Sequence, residues 1–198
     1  IRAGVQRQEL GQNIPFRDVA NYVQIASGET DVIATPTADP STFLFLEEFN
    51  AFVHSSFSVY AVGPAADVDG LIVQDSRRSI PTLARFRFLH AAASLDAEDA
   101  LDIYVTPPGQ VLDFDADDDE DESDDAATFR KFAAVAYPSA TDYLALEEGS
   151  YEVHFAAAGT SRVLVDSAPF TVANGDVTTY VLHESETATL ELLPVDDR

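Results

Sequence analysis

The sequence predicts an all-β protein built from β-sandwich domains, and two observations carry this prediction. Apolar and polar residues alternate over stretches of about four to eight residues, which places one set of side chains on each face of a strand. Gly, Pro, Asn or Ser interrupts these stretches at short intervals. A helical period competes only in residues 126–136. The strands are too short for α/β alternation, so the pattern favours sandwiches.

The strands are clearest in the second half of the chain. Phe86, Phe88 and His90 share one face of the first of them, and Val153 and Phe155 face inward in the fifth. The predicted strands there are 85–90, 101–105, 132–137, 143–146, 151–155, 163–165, 178–183 and 189–193.

The chain also repeats itself. Residues 21–28 parallel residues 142–149 at an offset of 121, and residues 57–62 resemble residues 177–182 at an offset of 120. In each copy a strand ends near a glycine, Gly28 or Gly149, and the next strand follows, so we expect a positive φ at both. The repeat predicts two copies of one domain.

The boundary between the copies should lie in the polar stretch 74–83, which predicts domains at 1–78 and 79–198. The second copy has two strands before its tyrosine, whereas the first has only residues 1–10 in that space. We therefore predict that the first domain lacks its opening strand. Two explanations stay open: the strand lies upstream in a longer product, or residues 1–10 fold back to fill the gap.

Composition excludes several classes of function. The 35 acidic and 11 basic residues give a formal charge of −24, which opposes binding to nucleic acid and to anionic lipid. Cysteine is absent, which excludes a thiol nucleophile and Cys-based metal sites. No apolar run reaches the roughly 20 residues that span a bilayer. Ten of the basic residues are Arg, and with many Asp this favours a halophilic or marine source; a merely acidic protein is the alternative.

One acidic tract contributes ten of the negative charges, because residues 113–125 hold ten acids in thirteen positions. Its alternating carboxylates are candidate Ca²⁺ ligands. An EF-hand loop needs Gly at its sixth position and Glu at its twelfth, where this tract has Asp118 and Asp124. Like charges favour a solvated, extended loop, with weak calcium binding as the alternative. The candidate ligands are Asp113, Asp115, Asp117, Asp119 and Asp121.

The sequence offers no catalytic constellation. It has four histidines, His54, His90, His154 and His183, and none lies in a zinc-binding spacing. We expect His90 to be buried and His154 and His183 to be exposed. No nucleophile elbow, Gly-rich phosphate loop or metalloprotease motif occurs. We therefore predict no catalytic residue and no cofactor other than calcium.

The second half resembles a known family in the order of its motifs. Residues 87–91 read Arg-apolar-apolar-His-Ala, residues 101–105 contain Asp-apolar-Tyr-apolar, and residues 149–153 read Gly-x-Tyr-x-apolar. This order is similar to that of the secreted domain-of-unknown-function family 4397, well over residues 84–193 and loosely over residues 10–75. The resemblance implies tandem immunoglobulin-like β-sandwich domains in exported or cell-surface proteins of bacteria and archaea. It implies no enzyme activity.

These observations lead to one expectation for function and two alternatives. We expect a non-enzymatic, extracytoplasmic structural or adhesive module of the cell surface or of an extracellular assembly. A sandwich without an edge strand exposes backbone donors and acceptors, so copies of the chain or other proteins could add a strand and form a filament. The first alternative is a carbohydrate- or ligand-binding module of the periplasm or medium, and the second is a hydrolase.

Overall fold

The structure is a computed structural model that describes residues 8–98, 100–112, 130–185 and 187–198. Within these residues the regular structure is β-strand, apart from one 3-10 helix at Ala93–Glu98. The chain divides into two compact units, Ile1–Ser76 (unit 1) and Arg77–Arg198 (unit 2). The division falls inside the polar stretch 74–83. The predicted all-β architecture with two tandem units is confirmed.

Unit 1 contains two antiparallel strand pairs in its described residues. The first pair is β1 (Gly28–Ala34) with β2 (Phe45–Ala51), and the second is β3 (Ser56–Val62) with β4 (Asp69–Asp75). The pairs meet where Gly70 of β4 lies against β2, since an added Cβ there would lie 2.5 Å from Cδ2 of Phe45. A side chain at residue 70 would hold the two pairs apart.

Unit 2 contains two five-stranded sheets. One sheet has the order β11-β10-β6-β7, with β12 also paired to β10, and the other has the order β14-β13-β5-β8, with β9 also paired to β5. Strands β5 and β13 are parallel and the other pairs are antiparallel. The strands are β5 (Ala84–His90), β6 (Leu101–Thr106), β7 (Arg130–Val135), β8 (Ser139–Ala140), β9 (Leu144–Leu146), β10 (Gly149–Ala157), β11 (Val163–Asp166), β12 (Phe170–Val172), β13 (Val177–Glu184) and β14 (Leu190–Asp196).

Apolar side chains from both sheets meet in the core of unit 2. Alternate residues of β5 and β6 supply much of it, because one face of each strand points at the opposite sheet. Phe86, Phe88, Ile103 and Phe155 have no exposed surface. The remaining fully buried members are Ala84, Ala92, Leu101, Val153 and Leu182. The sheets of unit 2 thus form the predicted β-sandwich.

The structure also corrects local predictions. Residues 21–27 have no strand, so in unit 1 the glycine does not follow one. Gly28 has a φ of +125°, as expected, whereas Gly149 does not have a positive φ. The turn before β10 is therefore made without a left-handed residue at that position. In unit 1 the strands β2 and β4 were not predicted.

Candidate functional site

The first strand pair of unit 1 repeats a strand pair of unit 2 in the same register. Gly28 pairs with Ala51 across β1 and β2, and Gly149 pairs with Val172 across β10 and β12. Both partners are displaced by 121 residues along the chain. Because register fixes which side chains share a face, β1 is the counterpart of the start of β10.

The second strand pair of unit 1 repeats β13 and β14. Ser58 pairs with Val73 across β3 and β4, and Thr179 pairs with Val195 across β13 and β14. The offset is 121 residues for β3 and 122 residues for β4, so unit 2 has one more residue between the two strands. Strand β3 is therefore the counterpart of β13.

Two strands complete these pairs in unit 2. Strand β5 pairs with the second edge of β13, and β6 pairs with the second edge of β10. In the described part of unit 1, residues 8–76, β3 pairs only with β4 and β1 pairs only with β2. No strand precedes β1 in residues 8–27. The described part of the first repeat thus lacks counterparts of both β5 and β6, one strand more than the sequence predicted.

Burial follows from this difference. In unit 2 the core residue Leu182 has no exposed surface and Tyr180 is 7% exposed. Their counterparts in β3 are Ala61, which is exposed, and Val59, which is half-buried. Of the exposed large apolar side chains in the described residues, thirteen lie in unit 1 and one, Val111, lies in unit 2.

A buried polar cluster lies beside β5 in unit 2. We call Tyr143, Thr179 and Asp197 polar cluster 2. The hydroxyls of Thr179 and Tyr143 donate to Oδ2 of Asp197 over 2.7 Å and 2.8 Å. Arg87 of β5 donates from Nε to Oγ1 of Thr179 over 2.8 Å, and its guanidinium carbon lies 4.7 Å from the centre of the Tyr143 ring. Polar cluster 2 therefore binds Arg87, the buried arginine of β5, which is 1% exposed.

Unit 1 contains the same arrangement on β3 and β4. We call Tyr22, Ser58 and Asp75 polar cluster 1. The hydroxyls of Ser58 and Tyr22 donate to Oδ2 of Asp75 over 2.7 Å and 2.8 Å. Each member is the counterpart of a member of cluster 2, at offsets of 121, 121 and 122 residues. The repeat already aligned Tyr22 with Tyr143, but an offset of 120 for the β3 segment hid the Ser58 and Thr179 match.

The histidines lie apart from one another. His90 is 1% exposed, as expected for a core histidine, and lies against Tyr137 with 5.5 Å between ring centres. His183 is 7% exposed, so the prediction that it is exposed was wrong. The 3-10 helix packs against β13. His54 is exposed in the connection from β2 to β3.

His154 lies between two polar partners in a way that the sequence did not indicate. Its Nδ1 lies 2.6 Å from Oδ1 of Asp166, and its Nε2 lies 3.1 Å from Oγ1 of Thr106. The order carboxylate, imidazole, hydroxyl resembles that of a hydrolase triad. Thr106, however, has no exposed surface, so its hydroxyl cannot reach a substrate. The arrangement ties β6, β10 and β11 together and does not form an active site.

The candidate Ca²⁺ ligands, Asp113, Asp115, Asp117, Asp119 and Asp121, lie outside the described residues. In the residues that are described, no group of three or more His, Asp or Glu side chains is arranged to hold a metal ion. Nor does this part of the chain contain a helix with the length and apolar character needed to cross a membrane.

Two tandem units built from the same strand pairs, with the same polar cluster in each, define the class as a β-sandwich repeat protein. A family model described as a domain of unknown function (DUF4397) matches residues 3–104 and 97–198, and the chain belongs to this family. The first match continues beyond Ser76 through β5 and into β6. No curated protein matches the chain.

Proposed function

We propose that the protein is a non-enzymatic structural or adhesive module that joins polypeptides by strand addition. The observation that carries this proposal is that, within the described residues 8–76, β3 and β1 each pair along one edge and leave open the edge that β5 or β6 occupies in unit 2. A strand from another polypeptide would complete unit 1 as β5 and β6 complete unit 2. The products would be cell-surface or extracellular assemblies, including filaments.

The chemistry of the β3 edge supports strand addition. Backbone groups of a strand point alternately to its two sides. On the β5 side, the carbonyls of Asp176, just before β13, and of Leu182, within it, accept from the backbone N–H groups of Arg85 and Ala91. By the same alternation, residues Phe57, Val59 and Ala61 direct their backbone groups to the open edge of β3. Such an edge is a template for pairing.

The exposed apolar surface of unit 1 supports the same proposal. Monomeric proteins rarely leave large contiguous apolar patches in water, and larger ones mark interaction sites. Seven of the thirteen exposed large apolar side chains lie in the strand-free segment 8–27. Covering such surface contributes about 25 cal/mol per Å². A partner would therefore gain free energy from apolar contact as well as from backbone hydrogen bonds.

An exported location and a salty environment complete the proposal. Ten arginines against one lysine, and a formal charge of −24, fit a surface that stays hydrated in high salt. The same charge keeps separate copies apart at low salt. Assembly should therefore strengthen as salt is added.

The test adds the missing strands as a peptide. A peptide with the sequence of residues 84–106, which spans β5 and β6, is titrated into the full chain in high salt, and hydrogen exchange is followed at the amides of Phe57, Val59 and Ala61. We expect saturable binding and slower exchange at these amides. A control peptide with Phe86→Asp and Phe88→Asp should bind at least about tenfold more weakly, because it cannot fill the core.

Light scattering on the same samples measures self-association. Copies that associate in a concentration-dependent way, and that the peptide separates, would identify the chain as its own partner. A chain that stays monomeric at high concentration and also leaves the peptide unbound would contradict the proposal.

A further inference from the structure

The outer edge of β14 in unit 2 has a proline in its backbone. Among the residues that the structure describes, β14 pairs only with β13 and, with seven residues, is the longest edge strand of unit 2. We propose that Pro194 closes this edge to strand addition, so that another strand cannot extend the sheet beyond β14. The proposal concerns unit 2 and holds whether or not the edges of unit 1 accept a strand.

Hydrogen bonds at both ends of the β13–β14 pair fix the direction in which each backbone group of β14 points. The N–H of Asp197 donates to the carbonyl of Val177 over 2.9 Å, and the N–H of Ser185 donates to the carbonyl of Thr189 over 2.7 Å. In an antiparallel pair, hydrogen-bonded positions alternate with positions whose backbone groups point away from the partner strand. The backbone groups of odd-numbered residues in β14 therefore face β13, and those of even-numbered residues face the outer edge.

Pro194 lies at one of the positions that face outward. It is paired with Tyr180 and is exposed. Because proline has no N–H, the outer edge lacks a hydrogen-bond donor at this point, and the pyrrolidine ring occupies the place of the missing hydrogen. The N–H groups of Leu192 and Asp196, on either side, still point outward. A strand that paired here would leave the carbonyl opposite Pro194 without a donor.

The position of this proline protects the edge without weakening the sheet. At an odd position such as Leu193 or Val195, proline would remove a hydrogen bond to β13, whereas at position 194 it removes none. Proteins protect edge strands with proline and with charged side chains. The charged side chain of Asp196 lies beside Pro194 and accepts a hydrogen bond from Nε of Arg198 over 3.0 Å. The edge of β14 thus combines both forms of protection.

The counterpart of this edge in unit 1 keeps its donor. At the offset of 122 residues that relates β14 to β4, Pro194 corresponds to Ile72. Ile72 pairs with Val59 as Pro194 pairs with Tyr180. Isoleucine has a backbone N–H and favours strands. The substitution Pro194→Ile therefore gives unit 2 the residue that the same position has in unit 1.

The test is Pro194→Ile in the full 198-residue chain. Hydrogen exchange is measured at several chain concentrations in high salt, which screens the repulsion between acidic copies. In the variant we expect exchange at the amides of Leu192 and Asp196 to slow by at least about tenfold as the concentration rises, because copies pair along β14. In the parent chain the exchange rates of these two amides should not depend on concentration.

Two controls separate edge pairing from other effects of the substitution. The amides of Leu193 and Val195 face β13, so they should be protected to the same degree in both proteins at every concentration, which also reports that the variant is folded. Pro108→Ile replaces an exposed proline in the turn after β6. It should leave exchange at the outward amides of β14 as it is in the parent chain.

Two results would overturn the proposal. Concentration-dependent slowing at Leu192 in the parent chain would show that the edge pairs despite its proline. An absence of slowing in Pro194→Ile would show that the proline is not what closes the edge. Both results leave the peptide titration of unit 1 unaffected, because that titration reads amides of β3.

Discussion

The two units share their strand pairs, registers and polar cluster, yet they differ in how much they bury. The core of unit 2 unites thirteen buried side chains from both sheets. In the described part of unit 1 the buried apolar residues are Val32, Phe45, Ala51 and Val62. The strand pairs alone therefore do not make a core in this fold, and the strands added to their open edges do.

Strand β5 shows why the lack of its counterpart in the described part of unit 1 matters. It is an inner strand with β13 on one side and β8 and β9 on the other, and six of its seven residues are buried. One face carries Phe86 and Phe88 into the core, and the other buries Arg87 in polar cluster 2. A single strand thus supplies both the aromatic centre of the core and the cation of a buried network.

The largest effect should follow from truncating the aromatic centre of unit 2. Phe88 lies 6.0 Å, 6.1 Å and 6.1 Å, between ring centres, from Phe132, Phe155 and Tyr180. We expect Phe88→Ala to lower the free energy of unfolding of unit 2 by about 3–5 kcal/mol. Urea unfolding followed by NMR signals from unit 2 measures it.

The matched change in unit 1 is Phe57→Ala. Phe57 packs on Phe49 with 5.0 Å between ring centres but is only half-buried. We expect a cost of about 1 kcal/mol, because less surface leaves water when it folds. Equal costs for the two substitutions would break the contrast between a filled and an open sandwich.

A second effect should follow from removing the buried cation. Arg87→Leu removes the donor to Thr179, whose hydroxyl in turn donates to the carboxylate of Asp197, a residue that is 0% exposed. We expect a loss of about 3 kcal/mol in unit 2, within the range for breaking a buried charged network. Thermal unfolding of unit 2 is the measurement.

Arg85→Leu is the control for that experiment. Arg85 is half-buried, lies 4.8 Å from the centre of the Tyr143 ring and donates to the carbonyl of Arg78. Its loss should cost less than about 1 kcal/mol, as for a partly exposed polar contact. A similar cost for both arginines would show that ring stacking, and not the buried network, stabilises β5.

The sequence was sufficient to predict the strands in which the alternating apolar residues are also the buried ones. Strands β5, β6, β10 and β13 were predicted because their inward residues are large and apolar. Strand β2 was missed because the adjacent Glu47 and Glu48 interrupt the alternation, although its ends, Phe45 and Ala51, are buried. Such a strand cannot be predicted from its own residues, because its pairing with β1 stabilises it.

The candidate site was only partly accessible from the sequence. The repeat aligned Tyr22 with Tyr143, but the extra residue before β14 shifted Asp197 out of line with Asp75. The arginine of the network lies on a strand that has no counterpart in the described part of unit 1. Its partner Thr179 lies 92 residues further along the chain, and the two residues meet only because β5 pairs with β13.

A smaller effect should follow from filling the space beside Gly70 in unit 1. An added Cβ would lie 2.5 Å from Cδ2 of Phe45, a distance that forces the β1–β2 pair away from β3–β4. We expect Gly70→Ala to lower the stability of unit 1 by about 1–3 kcal/mol. A Phe45→Leu change in the same chain should recover part of the loss, and no recovery would mean that the strand pairs are not in contact there.

The smallest expected effect is a pH-dependent contribution of Glu184 to the stability of unit 2. Glu184 ends β13 and accepts a hydrogen bond from the backbone N–H of Ser94 in the 3-10 helix that joins β5 to β6. Its counterpart in unit 1, at the end of β3, is Gly63, which has a φ of +96°. Burial alone would raise the pKa of Glu184, but hydrogen bonds from Ser94 and Ala93 bring this pKa below its ordinary value of 4.5.

A lowered pKa in the folded state means that the stabilisation by Glu184 is complete above pH 4.5 and is lost as the pH falls through the folded-state pKa. We expect Glu184→Gln to destabilise unit 2 by about 1 kcal/mol at neutral pH, with a difference that shrinks in acid. Glu148→Gln, at an exposed turn of the same unit, is the control and should change stability by less than about 0.5 kcal/mol. A pH-independent loss at Glu184 would show that its side-chain packing, and not its charge, holds the 3-10 helix that connects β5 to β6.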